Sequence, residues 1–171
     1  MKSKLQNFWY YHKTLFLIAA VIAAGGVYFL LQQAKTEKPD YEVAIVARDY
    51  FSEEQRTALT NDLQKFGEDC NGDGSVFVNL RVYQIALGQE GQDSARIAAL
   101  DADLVGNVSG LYLLDDPAAF EEVTNGICTA AEAVPVSGCE GLKGHGFDEL
   151  FFSVRKNADK KYAAMLKALT A

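Results

Sequence analysis

The chain has 171 residues, 49% of them hydrophobic, and a formal net charge of −7. The first 38 residues carry five lysines against one glutamate, a charge of +4, so the rest of the chain carries −11. A part this acidic repels phosphate backbones, which argues against nucleic acid as a partner and favours basic partners or divalent cations. The length beyond residue 40 suits one domain with a single core.

An uncharged run occupies residues 14–31, TLFLIAAVIAAGGVYFLL. As a helix rising about 1.5 Å per residue it would reach about 27 Å, close to the hydrocarbon thickness of a bilayer, so we expect a transmembrane helix. The basic and aromatic residues in 1–13 predict a cytoplasmic tail, which leaves the rest of the chain outside the cell. A cleaved signal peptide is the alternative, and the length of the run argues against it.

The polar segment 32–40, QQAKTEKPD, is predicted to be a stalk, and residues 41–171 the extracytoplasmic domain. Residues 41–47 predict a strand that is covered on both faces. Ser52 and Gln55 have the spacing of a capping box and predict a helix that ends at Gly67. Residues 76–87 alternate as expected of a long second strand.

The next elements repeat this order. A helix is predicted to begin at Asp93 or Ser94, and residues 110–114 predict a third strand. Asp116 and Pro117 predict the start of a short third helix. The second helix is expected to place Ile97, Leu100 and Leu104 on its buried stripe, and the third helix holds Phe120 and Val123.

Alternating strands and helices predict an α/β fold with one mostly parallel, three-layer sheet domain and right-handed crossovers. Residues 127–146 break the alternation and are interpreted as an excursion on the surface. Residues 147–154 return as a strand. Asn157 is predicted to cap a last helix that turns Tyr162, Met165, Leu166 and Leu169 toward the core.

The loop DCNGDGS places oxygen side chains at alternate positions, Asp69, Asn71 and Asp73, with Ser75 following. Calcium takes six to eight oxygen ligands, and this spacing matches the first half of an EF-hand loop. The twelfth position holds Leu80 where a bidentate glutamate is needed, so an EF-hand sensor is excluded. Two interpretations stay open: a helix-loop-strand calcium site, or a turn whose side chains bond their own backbone.

The three cysteines are Cys70, Cys128 and Cys139. In an oxidising exterior Cys128 and Cys139 could form a disulfide within one loop, which would leave Cys70 without a disulfide partner. Free thiols are the second interpretation. A third adds His145 to Cys128 and Cys139 as zinc ligands, although their spacing matches no established zinc pattern.

Polar residues follow the first and third predicted strands: Arg48, Asp49, Asp115 and Asp116. In open α/β sheets ligands gather at the carboxyl ends of the strands, so these four residues form a candidate ligand edge. The alternative is that the aspartates cap loops and that Arg48 is solvated. The predicted domain has one histidine and lacks the serine-hydrolase, Walker and zincin motifs, so we do not expect an enzyme.

The stretches FWYYHK, EDCNGDG, LYLLDDPAAF and DELFFSVRK carry a resemblance that covers the whole chain. On these stretches the chain resembles a group of uncharacterised single-span proteins of Gram-positive, Clostridia-type bacteria, which implies a membrane location and no particular activity. More distantly, LYLLDDPAAF and the ending KNADKKYAAMLKAL are similar to one lobe of a type II periplasmic solute-binding protein. That resemblance implies a solute site, although the chain is short for two lobes.

Two functions follow from these patterns. The first is a membrane-anchored interaction or accessory module that docks a membrane or cell-wall protein. The second is a single-lobe solute-binding domain that uses the candidate ligand edge.

Overall fold

The computed structural model describes residues 18–28, 38–88, 94–142 and 144–171. The chain divides into two units, Met1–Lys38 and Pro39–Ala171. In the first unit residues 18–28 form helix α1, and all of their side chains are exposed. No helix among the described residues is both long and apolar enough to cross a membrane. The predicted tail 1–13, the rest of the predicted span and most of the predicted stalk lie outside the described residues.

The second unit alternates strands and helices as predicted. It contains β1 (Tyr41–Ala47), α2 (Glu53–Phe66), β2 (Val78–Gln84), α3 (Ser94–Gly106), β3 (Leu111–Leu114), α4 (Pro117–Val123), β4 (Val134–Pro135), β5 (Phe151–Val154) and α5 (Lys160–Leu169). Three short 3-10 turns lie between α4 and β5.

The five strands form one sheet in the order β2-β1-β3-β5-β4. β1 pairs in parallel with β2 and β3, whereas β5 is antiparallel to β3 and to β4. The predicted α/β class with a mostly parallel sheet is therefore confirmed. β4 runs in the same direction as β3, and β5 lies between them and runs in the opposite direction. The parallel part of the sheet therefore ends at β3.

Two cores lie on opposite faces of the sheet, because neighbouring residues of β1 alternate between them. The first core contains Val43 and Ile45 together with residues of α2 and α5. The second contains Ala44 and Val46 together with residues of α3 and α4. Helices thus cover both faces, which gives three layers.

Ile97, which was predicted to face the core, does not, and Val123 is exposed as well. Ile97 is 39% exposed and Val123 is 57% exposed. The buried face of α3 is centred on Leu100 and Asp103, which turns Ile97 toward solvent. In α4, a helix of seven residues, Phe120 is the buried residue.

The segment 127–146 is more than the surface excursion that was predicted. It supplies β4, and four of its residues are fully buried: Cys128, Val136, Cys139 and Leu142. Cys128 belongs to the second core, and the other three belong to the first. A second correction concerns α5, which is capped by Asp159, whose side chain accepts from the Lys161 N–H at 3.1 Å, and not by Asn157.

Candidate functional site at the carboxyl edge of the sheet

The turn from β1 into α2 is built by the predicted capping box. The Ser52 hydroxyl accepts from the Gln55 N–H at 3.2 Å, and the Gln55 side chain accepts from the Ser52 N–H at 2.9 Å. Two backbone donors at the start of the helix are thereby satisfied, which fixes the start of α2 at Glu53. Residues 49–51 are held at the carboxyl end of β1, where Tyr50 is 73% exposed.

The structure brings only some of the four residues of the candidate ligand edge together. The Arg48 N–H donates to Asp115 Oδ2 at 2.8 Å, which ties the ends of β1 and β3 together. Asp116 caps α4, since its Oδ1 accepts from the Ala119 N–H at 2.9 Å. These contacts match the capping alternative, and of the four predicted residues Asp49 lines a cleft.

This cleft has a volume of about 400 Å³ and lies at the carboxyl end of β2, between α2 and α3. We call it the β2 cleft. Its lining includes Asp49, Tyr50, Arg56, Val82, Gln84 and Arg96.

Two arginines from different helices line the β2 cleft, together with the acidic Asp49. Arg96 Nη1 donates to the Gln84 carbonyl at 3.2 Å and to Gln84 Oε1 at 3.1 Å. Arg56 pairs with Glu53 through Nη2, while its Nε is buried and has no partner among the described residues. Sequence reasoning missed both arginines, because arginine on a helix usually belongs to the solvated face.

A buried carboxylate behind the cleft was also missed. Asp103 of α3 is 3% exposed and accepts from the hydroxyls of Tyr83, Tyr112 and Ser109 at 3.1, 3.1 and 2.7 Å. It also accepts from the Ser109 N–H, and Arg81 Nε lies 3.9 Å from it. Burial and the nearby Asp103 carboxylate raise the pKa of Tyr83 and of Tyr112 above the usual tyrosine value. The cluster fastens α3 to the sheet, since these donors come from β2, β3 and the loop before β3.

The loop proposed for calcium is closed by its own side chains. The Asp69 carboxylate accepts from the N–H groups of Gly72 and Gly74. The Asn71 side-chain oxygen accepts from the Asp73 N–H, and the Asp73 carboxylate accepts from the Ser75 N–H. These hydrogen bonds from Ser75 lower the pKa of Asp73. In the described part of the chain no group of three or more His, Cys, Asp or Glu side chains is placed to hold a metal. The geometry matches the turn interpretation, and calcium binding stays a prediction.

Behind this loop lies Asp40, the last residue of the predicted stalk. It is 2% exposed, and its carboxylate accepts from the N–H groups of Cys70, Asn71 and Phe77 at 2.8, 3.0 and 2.9 Å. Asp40 therefore joins the loop to the start of β1.

The predicted disulfide is not formed. All three cysteines are free thiols, with Cys70 exposed and the other two buried. Cys128 belongs to the second core and Cys139 to the first, so the sheet separates them. Burial raises the pKa of Cys128 to about 11 and also raises that of Cys139.

The zinc alternative fails for the same reason, since its two sulfur ligands lie on opposite faces of the sheet. His145, the third residue of that set, lies with Nε2 2.8 Å from Asp62 Oδ2, and its carbonyl accepts from Gln55 Nε2 at 3.1 Å. These contacts fasten the segment before β5 to α2.

A second cavity, of about 450 Å³, lies at the other end of the strands, near the start of β3. Its lining includes Ser109, Arg155, Lys161 and Tyr162. Arg155 Nη2 donates to the Leu104 carbonyl at 2.8 Å, and its Nη1 is buried without a partner in the described residues. We favour the β2 cleft as the functional site because ligands of open α/β sheets bind at the carboxyl ends of the strands.

Comparison with known proteins adds no relative: no family model matches the chain, and no curated protein or solved structure matches it either. The two resemblances stay predictions, and the case for a function rests on the geometry of the β2 cleft.

Proposed function

We propose that the chain is a membrane-anchored binding module with one acidic α/β domain outside the cell. Residues 14–31 insert in the lipid bilayer, the N-terminus is cytoplasmic, and the second unit carries out binding without catalysis. The uncharged run supports the anchor, as does the exposure of Ile18, Val21 and Ile22 at 54%, 68% and 69%. The resemblance to single-span bacterial proteins is part of this proposal.

The observation that carries the binding function is the β2 cleft, flanked by Arg56 of α2 and Arg96 of α3. Its volume lies within the range of pockets that hold small ligands or groups. Guanidinium groups bind carboxylates and phosphates through charge-assisted hydrogen bonds. We therefore assign to the cleft an anionic group, presented by a protein partner in the membrane or cell wall.

A single-lobe solute-binding domain is the second candidate function. The same cleft favours it, because about 400 Å³ is enough for a free metabolite that carries a carboxylate. The two functions differ in the ligand: a free solute would saturate the cleft by itself, whereas a partner needs contacts beyond it.

The location can be tested through Cys70. This thiol is exposed, whereas Cys128 and Cys139 are 1% and 0% exposed, so a maleimide reports on Cys70 in the folded chain. We expect a membrane-impermeant maleimide to label intact cells that express the protein, and Cys70→Ser to abolish the label. Labelling that requires permeabilised cells would contradict the proposed orientation.

The binding function can be tested with N-acetylglycine as the probe, using the full chain in detergent micelles. Saturation-transfer NMR detects millimolar binding, and we expect a signal that the double variant Arg56→Gln, Arg96→Gln loses. The matched control Lys160→Gln, Lys167→Gln removes the same charge from exposed residues of α5 and should keep the signal. An equal signal from both double variants would overturn the proposed site.

A further inference from the structure

Among the described residues, the outer edge of β2 has no paired strand. β2 stands at one end of the strand order, and no described strand pairs with its outer side. The Ile85 N–H donates to Ala47 and the Phe77 carbonyl accepts from Tyr41, so odd-numbered residues face β1. The backbone groups of Val78, Leu80, Val82 and Gln84 therefore point outward.

From Leu80 onward, this edge lacks the usual protection against pairing in the part of the chain that the structure describes, whereas Val78 is 1% exposed. β2 has seven residues in a continuous register with β1, without a proline or a bulge. Its one charged side chain, Arg81, is engaged by Glu42 at 3.2 Å and lies near Asp103. The other edge strand, β4, has two residues, of which Pro135 is one. The contrast marks the β2 edge as a surface for strand addition.

The end of the edge is set by Arg96. Its guanidinium already donates to the outward carbonyl of Gln84, so an N–H of an added strand would have to share this acceptor with Arg96. The Gln84 N–H still points outward. An added strand that stops at this position with a carboxylate needs no further donor, and the carboxylate meets Arg96 and Arg56.

We propose that the β2 edge binds the extended carboxyl terminus of a partner protein, parallel to β2, with its terminal carboxylate in the β2 cleft. This inference rests on the proposed function of the two arginines and names the group that they hold. An antiparallel segment that began at this position would place a positive amino terminus against the arginines. A second copy of this chain is disfavoured because two domains of the same high negative charge repel each other.

Parallel pairing defines the register. The last residue of the partner donates its N–H to the Val82 carbonyl, and its carboxylate accepts from the Gln84 N–H. The third residue from the end accepts from the Val82 N–H and donates to the Leu80 carbonyl. Side chains of the second and fourth residues from the end lie beside Val82 and Leu80, which pack on the first core, so these positions should be apolar.

The test is a selection of random seven-residue peptides, displayed with free carboxyl termini, on the full chain in detergent micelles. We expect enrichment of apolar residues at the second and fourth positions from the end. The most enriched sequence, as a synthetic peptide, is then the probe. Amidation of its terminus, or Arg96→Gln in the protein, should weaken binding about tenfold, as expected for a lost charge-assisted hydrogen bond.

N-methylation of the peptide separates strand addition from binding in the cleft alone. A methyl group on the last or third-from-last nitrogen removes a donor to β2 and should weaken binding about tenfold. On the second-from-last nitrogen, whose N–H points away from β2, it should leave the affinity unchanged, which makes it the matched control.

Carboxylate-dependent binding that tolerates all three methyl groups would overturn strand addition while keeping the proposed function. Absence of enrichment, or binding that needs neither the carboxylate nor Arg96, would overturn both. A full chain that is dimeric in micelles and becomes monomeric with Leu80→Pro would also overturn the proposed partner, since the edge would then be occupied by a second copy.

Discussion

The carboxylate of Asp103 in α3 accepts a hydrogen bond of 3.1 Å from the hydroxyl of Tyr112 in β3, beneath the helix. Tyr83 of β2 donates to the same carboxylate, so one acidic side chain joins two strands to one helix. Because Tyr83 and Arg96 both line the β2 cleft, this cluster also holds the two sides of the cleft in place.

Replacing Asp103 tests that role. Asp103→Ala leaves the hydroxyls of Tyr83, Tyr112 and Ser109 without their acceptor in a buried site, and we expect a loss of roughly 2 to 4 kcal/mol in the free energy of unfolding. Urea unfolding of the full chain in micelles measures it. Asp101→Ala, an exposed position on the same helix, should change the value little. Similar losses for both variants would contradict the anchoring role.

Alkaline pH should weaken the fold through Tyr112. Burial raises the pKa of this tyrosine in the folded chain above the value of about 10 in the unfolded chain. The folded state thus keeps a proton that the unfolded state releases, so the stabilisation is complete below about pH 10 and is lost as the pH rises further. We expect the free energy of unfolding to fall as the pH rises above about 10, and Tyr112→Phe to flatten this decline. A decline unchanged by Tyr112→Phe, and equal to that of Tyr50→Phe, would refute the assignment.

The three thiols should differ in reactivity. In the folded chain at neutral pH a disulfide-exchange reagent should titrate one thiol, Cys70, because the other two are buried and burial raises the pKa of Cys128 to about 11. After denaturation all three should react. Cys70→Ser should reduce the folded titre to zero. Fast reaction of two or three thiols in the folded chain would show that the cores are open.

Calcium binding by the loop can be decided by thermal melting. Each carboxylate of the loop already accepts backbone N–H groups, so we expect Asp69→Ala to lower the melting temperature by the same amount in EDTA and in millimolar calcium. A calcium ion bound to the folded state would raise the melting temperature of the native chain alone. A rise with calcium that Asp69→Ala removes would establish the metal site.

Much of the fold was predictable because its determinants are local. β1 has the predicted bounds, the capping box of α2 forms both of its hydrogen bonds, and Asp116 starts α4. These features depend on residues within one turn or one strand of each other, so the amino-acid pattern contains all the information that they need.

The site was predicted in part. The carboxyl edge was identified and Asp49 does line the cleft, whereas Arg48, Asp115 and Asp116 stabilise loops. Arg56 and Arg96 carried no sign of their role, because they lie 40 residues apart and meet one cleft through the packing of two helices.

By itself the sequence determined the alternation of strands and helices, the charge difference between the two parts of the chain, and the local caps. Tertiary structure decided the rest: the reversed direction of β5, the separation of Cys128 from Cys139 by the sheet, the burial of Asp40, and the Asp103 cluster. Each of these depends on contacts between residues far apart in the chain. Such contacts stabilise the protein only once the sheet and the helices have packed together.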